Sequence, residues 1–131
     1  MTTELAAPEV PPVTRLIDQP RVDRYARGAR DHNPIHLETE VARTSQFGRP
    51  IAHGMLVLAL LSEAMTNAFG LAWTRGGQLK VRWRAPAITP VTVTARAELR
   101  SSADGVAVYD VTCDDEHGTV LVTGTARAPL A

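Results

Sequence analysis

Apolar residues recur along this chain at two different periods, and the change falls near Gly77. Before it the spacing is helical. Val22, Tyr25, Ala26 and Ala29 line one face of a helix that Asp18 can cap and Pro20 can open, because a proline in the first turn forfeits no hydrogen bond. Asn33-Pro34 ends that helix, since the residue before a proline is pushed out of the α region. A second short helix is predicted over residues 40–46, capped by Thr39 and closed around Gly48-Arg49-Pro50. Over residues 55–69 apolar side chains fall on nearly every side, interrupted mainly by Ser62 and Glu63. That marks a buried helix, with Gly70 as its stop. After Gly77 the period is two. Leu79, Val81 and Trp83 alternate with Lys80, Arg82 and Arg84, and Val91, Val93, Ala95, Ala97 and Leu99 alternate with polar residues. Turn signals at "SSADG" and "DDEHG" set off strands over residues 106–113 and 119–128, and residues 14–17 form a short first strand.

Four consecutive antiparallel strands, each with one wet face, and a helix that needs apolar cover predict an α+β architecture. A curved antiparallel sheet wraps a long central helix. One sheet around one helix leaves edge strands and part of the helix uncovered, so a homodimer is expected. The whole chain, residues 1–131, reads as a single domain whose Pro-rich first twelve residues form a loose arm.

Composition narrows the function classes. Fourteen basic residues balance fourteen acidic ones, without the basic excess of a general nucleic-acid binder. Cys113 is the only cysteine, which leaves no intrachain disulfide and no cysteine metal cage. The apolar run at residues 55–61 is far short of the ~20 residues that span a bilayer. The amino terminus lacks a basic segment followed by an apolar one, so no membrane association and a cytoplasmic location are expected.

Chemistry concentrates in "RDHNPIH", Arg30 to His36. One reading is a polar loop whose Asp and Asn organise turns. Another is a metal site, since His32 and His36 are four apart; but Asn33-Pro34 breaks the helix that would bring them together, and no clear third ligand lies nearby, so no metal is expected. A third makes Asp31 a nucleophile. The fourth makes Asp31 and His36 a general acid–base pair held on a stiff turn so that both face one water molecule. A second polar stretch, "RPIAHGM", favours the last. It sets Gly54 at the start of the apolar helix, where free backbone N–H groups and the positive dipole end make an oxyanion hole for a carbonyl. A carboxylate, an imidazole and an oxyanion donor suit the addition or removal of water at a carbonyl-conjugated double bond.

"YARGARDHNPIHLE" followed by "FGRPIAHGM" resembles the MaoC-like dehydratase family, also called hydratase 2 or R-specific enoyl-CoA hydratases. The resemblance is close from Tyr25 to about Leu61, and "WRAPAITPVTVTA" agrees with the family in pattern. It implies the hot-dog fold and a hydratase that adds water to a trans-2-enoyl thioester, or removes it from an R-3-hydroxyacyl thioester. Asp31 and His36 would be the catalytic pair, with Asn33 helping to hold the water or the loop. The Gly54 N–H would bind the thioester oxygen, and Ser62 would orient Asp31. Coenzyme A or an acyl carrier would be part of the substrate, with no separate cofactor. Rival readings are a hot-dog thioesterase and a subunit that works only with a related partner chain.

The family's Ser-Gly before the aspartate is Ala29-Arg30 here. His32 reads as a wall or surface residue, and His53 as a group that caps or packs at the helix start. Lys80, Arg82 and Arg84 share a solvated strand face that could meet coenzyme A phosphates. Trp83 and Cys113 read as core, with a dimer contact as the other reading of Trp83.

Overall fold

The computed structural model describes residues 6–130. Strand β1 (Val13–Ile17) leads into helix α1 (Gln19–Ala29), a single 3-10 turn (Pro34–His36) and the short helix α2 (Glu40–Thr44). Helix α3 (Gly54–Phe69) and helix α4 (Leu71–Gly76) follow. The rest is strand: β2 (Gln78–Trp83), β3 (Val91–Ala103), β4 (Val106–Asp115) and β5 (Val120–Pro129). The five strands form one antiparallel sheet in the order β1-β3-β4-β5-β2, so β2 lies against β5, and β1 and β2 are its two edges.

Local chemistry accounts for the element ends. The Asp18 carboxylate accepts from the Arg21 N–H and caps α1, with Pro20 inside the first turn. The "SSADG" turn shrinks to Asp104-Gly105, both with positive φ as a tight hairpin requires, and β3 continues to Ala103. Residues 71–76, where no element was expected, form α4, and α2 stops at Thr44. Among the described residues no helix is long and apolar enough to cross a membrane.

Helix α3 lies on the sheet's inner face against β1, β3 and β4, burying Val57, Leu60, Leu61, Ala64 and Met65. Val93 and Ala95 of β3, Val111 and Cys113 of β4, and Leu121 and Val122 of β5 share that core. This is the predicted helix-in-sheet architecture, with two differences. The helix is not covered all round, because Met55 (56% exposed), Ala59, Thr66 and Asn67 face outward. Glu63, the charge inside the apolar run, is taken up by Arg15 of β1 at 2.6 Å. Cys113 is buried as expected; burial, and then the neighbouring Asp114 charge, pushes its thiol up to about 12.

The amino-terminal arm needs correction over its described part. Residues 6–12 have no regular structure, yet Val10 is buried in the core and the Tyr109 hydroxyl donates to the Pro8 carbonyl at 2.6 Å. That segment is held on the sheet rather than loose; residues 1–5 lie outside the described residues.

Candidate active site

The turn after α1 is built from its own side chains. Arg30 ends the helix in the left-handed region (φ 55, ψ 38), and its N–H and that of Asp31 both return to the Ala26 carbonyl. The Asp31 carboxylate then accepts from the Asn33 N–H at 3.3 Å, and the Asn33 side-chain oxygen accepts from the Ile35 N–H at 3.1 Å. Two successive Asx turns thus lead into Pro34, whose fixed φ suits the first position of the 3-10 turn that carries His36. The Thr39 hydroxyl closes on the Pro34 carbonyl at 2.7 Å.

Long-range bonds then fasten this turn to the chain entering α3. Ile51 N–H donates to the Ile35 carbonyl, and Gln19 Nε2 donates to the His36 carbonyl at 2.8 Å. His36 Nδ1 lies 2.8 Å from the Ile51 carbonyl. A carbonyl only accepts, so Nδ1 carries the hydrogen and the neutral ring keeps its lone pair at Nε2. The same reasoning applies to His53, whose Nε2 donates to the Asp31 backbone carbonyl at 3.0 Å. The His53 ring, 2% exposed, stacks on His36 with centroids 3.8 Å apart and planes at 27°, and it also packs on Tyr25 with centroids 4.7 Å apart.

His53 is therefore more than the helix-end packing expected of it. It holds the backbone of Asp31 and one face of His36 together, and nothing in its spacing from either residue revealed that. Among the described residues its side-chain Nδ1 is buried without a partner, and it makes no capping bond to α3. It is also the third metal-type ligand that the sequence did not suggest: one donor atom each from Asp31, His36 and His53 lie within 4.8 Å of one another. Two stacked imidazoles project their in-plane lone pairs side by side rather than onto one point, so the trio is poorly shaped for a single ion.

Gly54 opens α3 as expected, with its N–H in the first turn. A cavity of about 350 Å³ lies before it, lined by His36, Gly54, Val57, Trp83, Arg84 and Leu121 among others. A Cβ on Gly54 would come within 2.7 Å of Trp83 Nε1, so glycine permits the indole edge to approach the helix start. Trp83 is 51% exposed and borders this cavity, so it is not a core residue.

The other residues singled out in the sequence fall as follows. Ser62 does not reach Asp31 with its hydroxyl; it accepts from the Trp73 indole at 3.0 Å and ties α3 to α4. The Asn33 side-chain oxygen is engaged within the loop by the Ile35 N–H. Arg30 makes no ion pair among the described residues, and its positive φ shows why the resembling family carries glycine there. His32 is exposed.

The family model for the MaoC like domain matches residues 3–120. An (R)-specific enoyl-CoA hydratase of Aeromonas caviae is 31% identical over 112 residues, covering 83% of this chain and 83% of that protein. A 3-hydroxyacyl-thioester dehydratase Z of Mycobacterium tuberculosis is 34% identical over 111 residues, covering 82% of this chain and 67% of the relative. In three dimensions the chain superposes on an (R)-hydratase of A. caviae involved in PHA biosynthesis with a TM-score of 0.82. That match has 25% identity and covers 99% of this chain and all of the other.

Proposed function

The chain belongs to the MaoC-like domain family, and from that premise we propose that it is a hydro-lyase acting on acyl thioesters, with Asp31 and His36 as its acid–base pair. It adds water to a trans-2-enoyl thioester or removes it from an R-3-hydroxyacyl thioester. The observation that carries the site assignment is the convergence of His36 and Gly54 on one cavity, with a carboxylate oxygen of Asp31 within 4.8 Å of a His36 ring nitrogen.

In the hydration direction the lone pair at His36 Nε2 accepts a proton from water as the water oxygen bonds to C3. The same imidazolium then returns that proton to C2, so one O–H bond breaks, C–O and C–H bonds form, and no net proton is taken up. One proton carrier on one side of the substrate makes the addition syn. Asp31, as carboxylate, accepts the second water hydrogen and stabilises the transient imidazolium. The Gly54 N–H, at the positive end of α3, donates to the thioester oxygen as negative charge develops there. No separate cofactor enters this scheme; coenzyme A or an acyl carrier arrives as part of the substrate.

The test is absorbance loss of a short trans-2-enoyl-CoA, with chiral analysis of the product. Asp31→Asn or His36→Ala should lower kcat by about 10²-fold or more in a folded protein. Near-unaltered turnover in either variant sinks the assignment, and release of free thiol would mark a thioesterase instead.

The active species in this reading is a homodimer. The outward stripe of α3 around Met55 and Ala59 and the open β2 edge are the surfaces a second copy would cover. Sedimentation should give twice the chain mass; a catalytically active monomer would overturn it.

A further inference from the structure

The sheet's outer face is electrostatically uneven. On its β3–β4 half each arginine has a carboxylate: Arg96 meets Asp114 at 3.3 Å and Arg100 meets Asp110 at 2.7 Å. On β2 the pattern differs. Leu79 and Val81 pack inward, Lys80 and Arg82 are exposed, and Arg84 follows just beyond the strand. Among the described residues none of these three cations has a carboxylate within 4.0 Å, although the whole chain is electrically balanced.

These cations surround a hollow of about 300 Å³. Lys80, Arg82, Arg84 and Arg100 line it with the threonines Thr123 and Thr125 of β5, and its one carboxylate, Asp110, is already engaged by Arg100. Gly124 contributes backbone to its wall between the two threonines. Arg84 is fixed by its Nε donating to the Thr123 hydroxyl at 2.9 Å. Arg84 also lines the reaction cavity that holds His36 and Gly54, so the hollow and the cavity share a wall. At about 3.3 Å per strand residue, Lys80 lies roughly 13 Å along the chain from Arg84, a distance of the same order as an extended pantetheine arm.

We propose that this hollow binds the phosphates of the substrate's coenzyme A, with Lys80 and Arg82 as the distal anchors and the pantetheine arm passing Arg84 and Trp83 into the cavity. The inference rests on the acyl-thioester reading for its ligand. Clustered unpaired cations create a local positive field that a phosphate-rich ligand satisfies, and threonine hydroxyls add neutral donors.

The double variant Lys80→Ala/Arg82→Ala, which leaves Arg84 in place, tests it. Calorimetry with free coenzyme A should show affinity about tenfold weaker than in the unsubstituted protein, and higher salt should shrink that difference. In turnover, KM for a trans-2-enoyl-CoA should rise by a similar factor while kcat holds. The same acyl group on pantetheine, which has no phosphate, should lose less than about twofold in kcat/KM. Unchanged coenzyme A affinity, or an equal loss on both thioesters, overturns the proposal. So does a loss confined to substrate carried on an acyl carrier protein. An unsubstituted protein that binds coenzyme A at this hollow but turns over no thioester would fail the functional reading alone.

Discussion

The turn from Arg30 to His36 and the helix that starts at Gly54 meet at one cavity, to which they contribute His36 and Gly54, and they are held in opposite ways. Five of the seven turn residues are exposed, and most of the bonds that shape them run between groups two to five positions apart. Helix α3 is held by burial, with Leu61, Ala64 and Met65 sealed against β1, β3 and β4. The turn presents chemistry to water but has little apolar surface with which to fix itself. Its rigidity comes from polar bonds: His36 and His53 each spend one ring nitrogen on a backbone carbonyl, of Ile51 and Asp31. The helix contributes few side-chain functional groups to the site and serves by staying still. Its amino end would supply the proposed oxyanion donor, a role in which a rigid backbone is useful.

This contrast is sharpest in what each region should lose on substitution. The largest effects belong to the turn: the loss of about 10²-fold or more in kcat expected for Asp31→Asn should come with little change in unfolding free energy, because Asp31 is exposed, whereas His36→Ala, with a similar loss in kcat, should also cost about 1 kcal/mol through its lost bond to the Ile51 carbonyl. Leu61→Ala should do the reverse. Removing a fully buried side chain from α3 should cost about 2–5 kcal/mol in denaturant unfolding, while turnover per folded molecule stays near normal. A cost below about 1 kcal/mol would mean that α3 is not the structural anchor described. The smallest effect should come from Arg30→Gly, at the point where the turn leaves α1. Arginine there occupies the left-handed region, so glycine should raise unfolding free energy by up to about 1 kcal/mol. Destabilisation by this substitution would show that the Arg30 side chain has a role beyond its strained backbone.

Much of the fold was legible because it is written at short range. A helical period around Val22 and Ala26, an alternating one through Val91 and Val93, and Asp18, Gly70 and Asp104-Gly105 at the element ends all act within a few residues. Expectations slipped where an alternating or helical pattern ran past the body it packs on. Leu99 continues the inward period of β3, yet lies beyond the core and is 51% exposed, and Met55 belongs to an apolar helix whose outer stripe nothing in one chain covers. Two short motifs single out Asp31, His36 and Gly54, and the structure brings Asp31 close to His36 and places His36 and Gly54 on one cavity. The roles expected of their helpers were less secure: Ser62 turned out to face Trp73, and His53 proved central to the geometry.

The residue types and spacings alone determined that a helix must break at Asn33-Pro34, that a carboxylate and an imidazole sit on a stiff turn, and that an apolar helix begins at a glycine. Those are consequences of backbone sterics and of periods of 3.6 and two, which neighbours in sequence impose on one another. Only the tertiary structure decided that β2 lies beside β5, that His53 bridges Asp31 and His36, and that Arg84 lines both the basic hollow beside β5 and the cavity at His36 and Gly54. Each of those pairings joins groups well separated along the chain. The energy that selects them comes from packing and hydrogen bonds formed only after the chain has closed on itself, so no local period carries their trace.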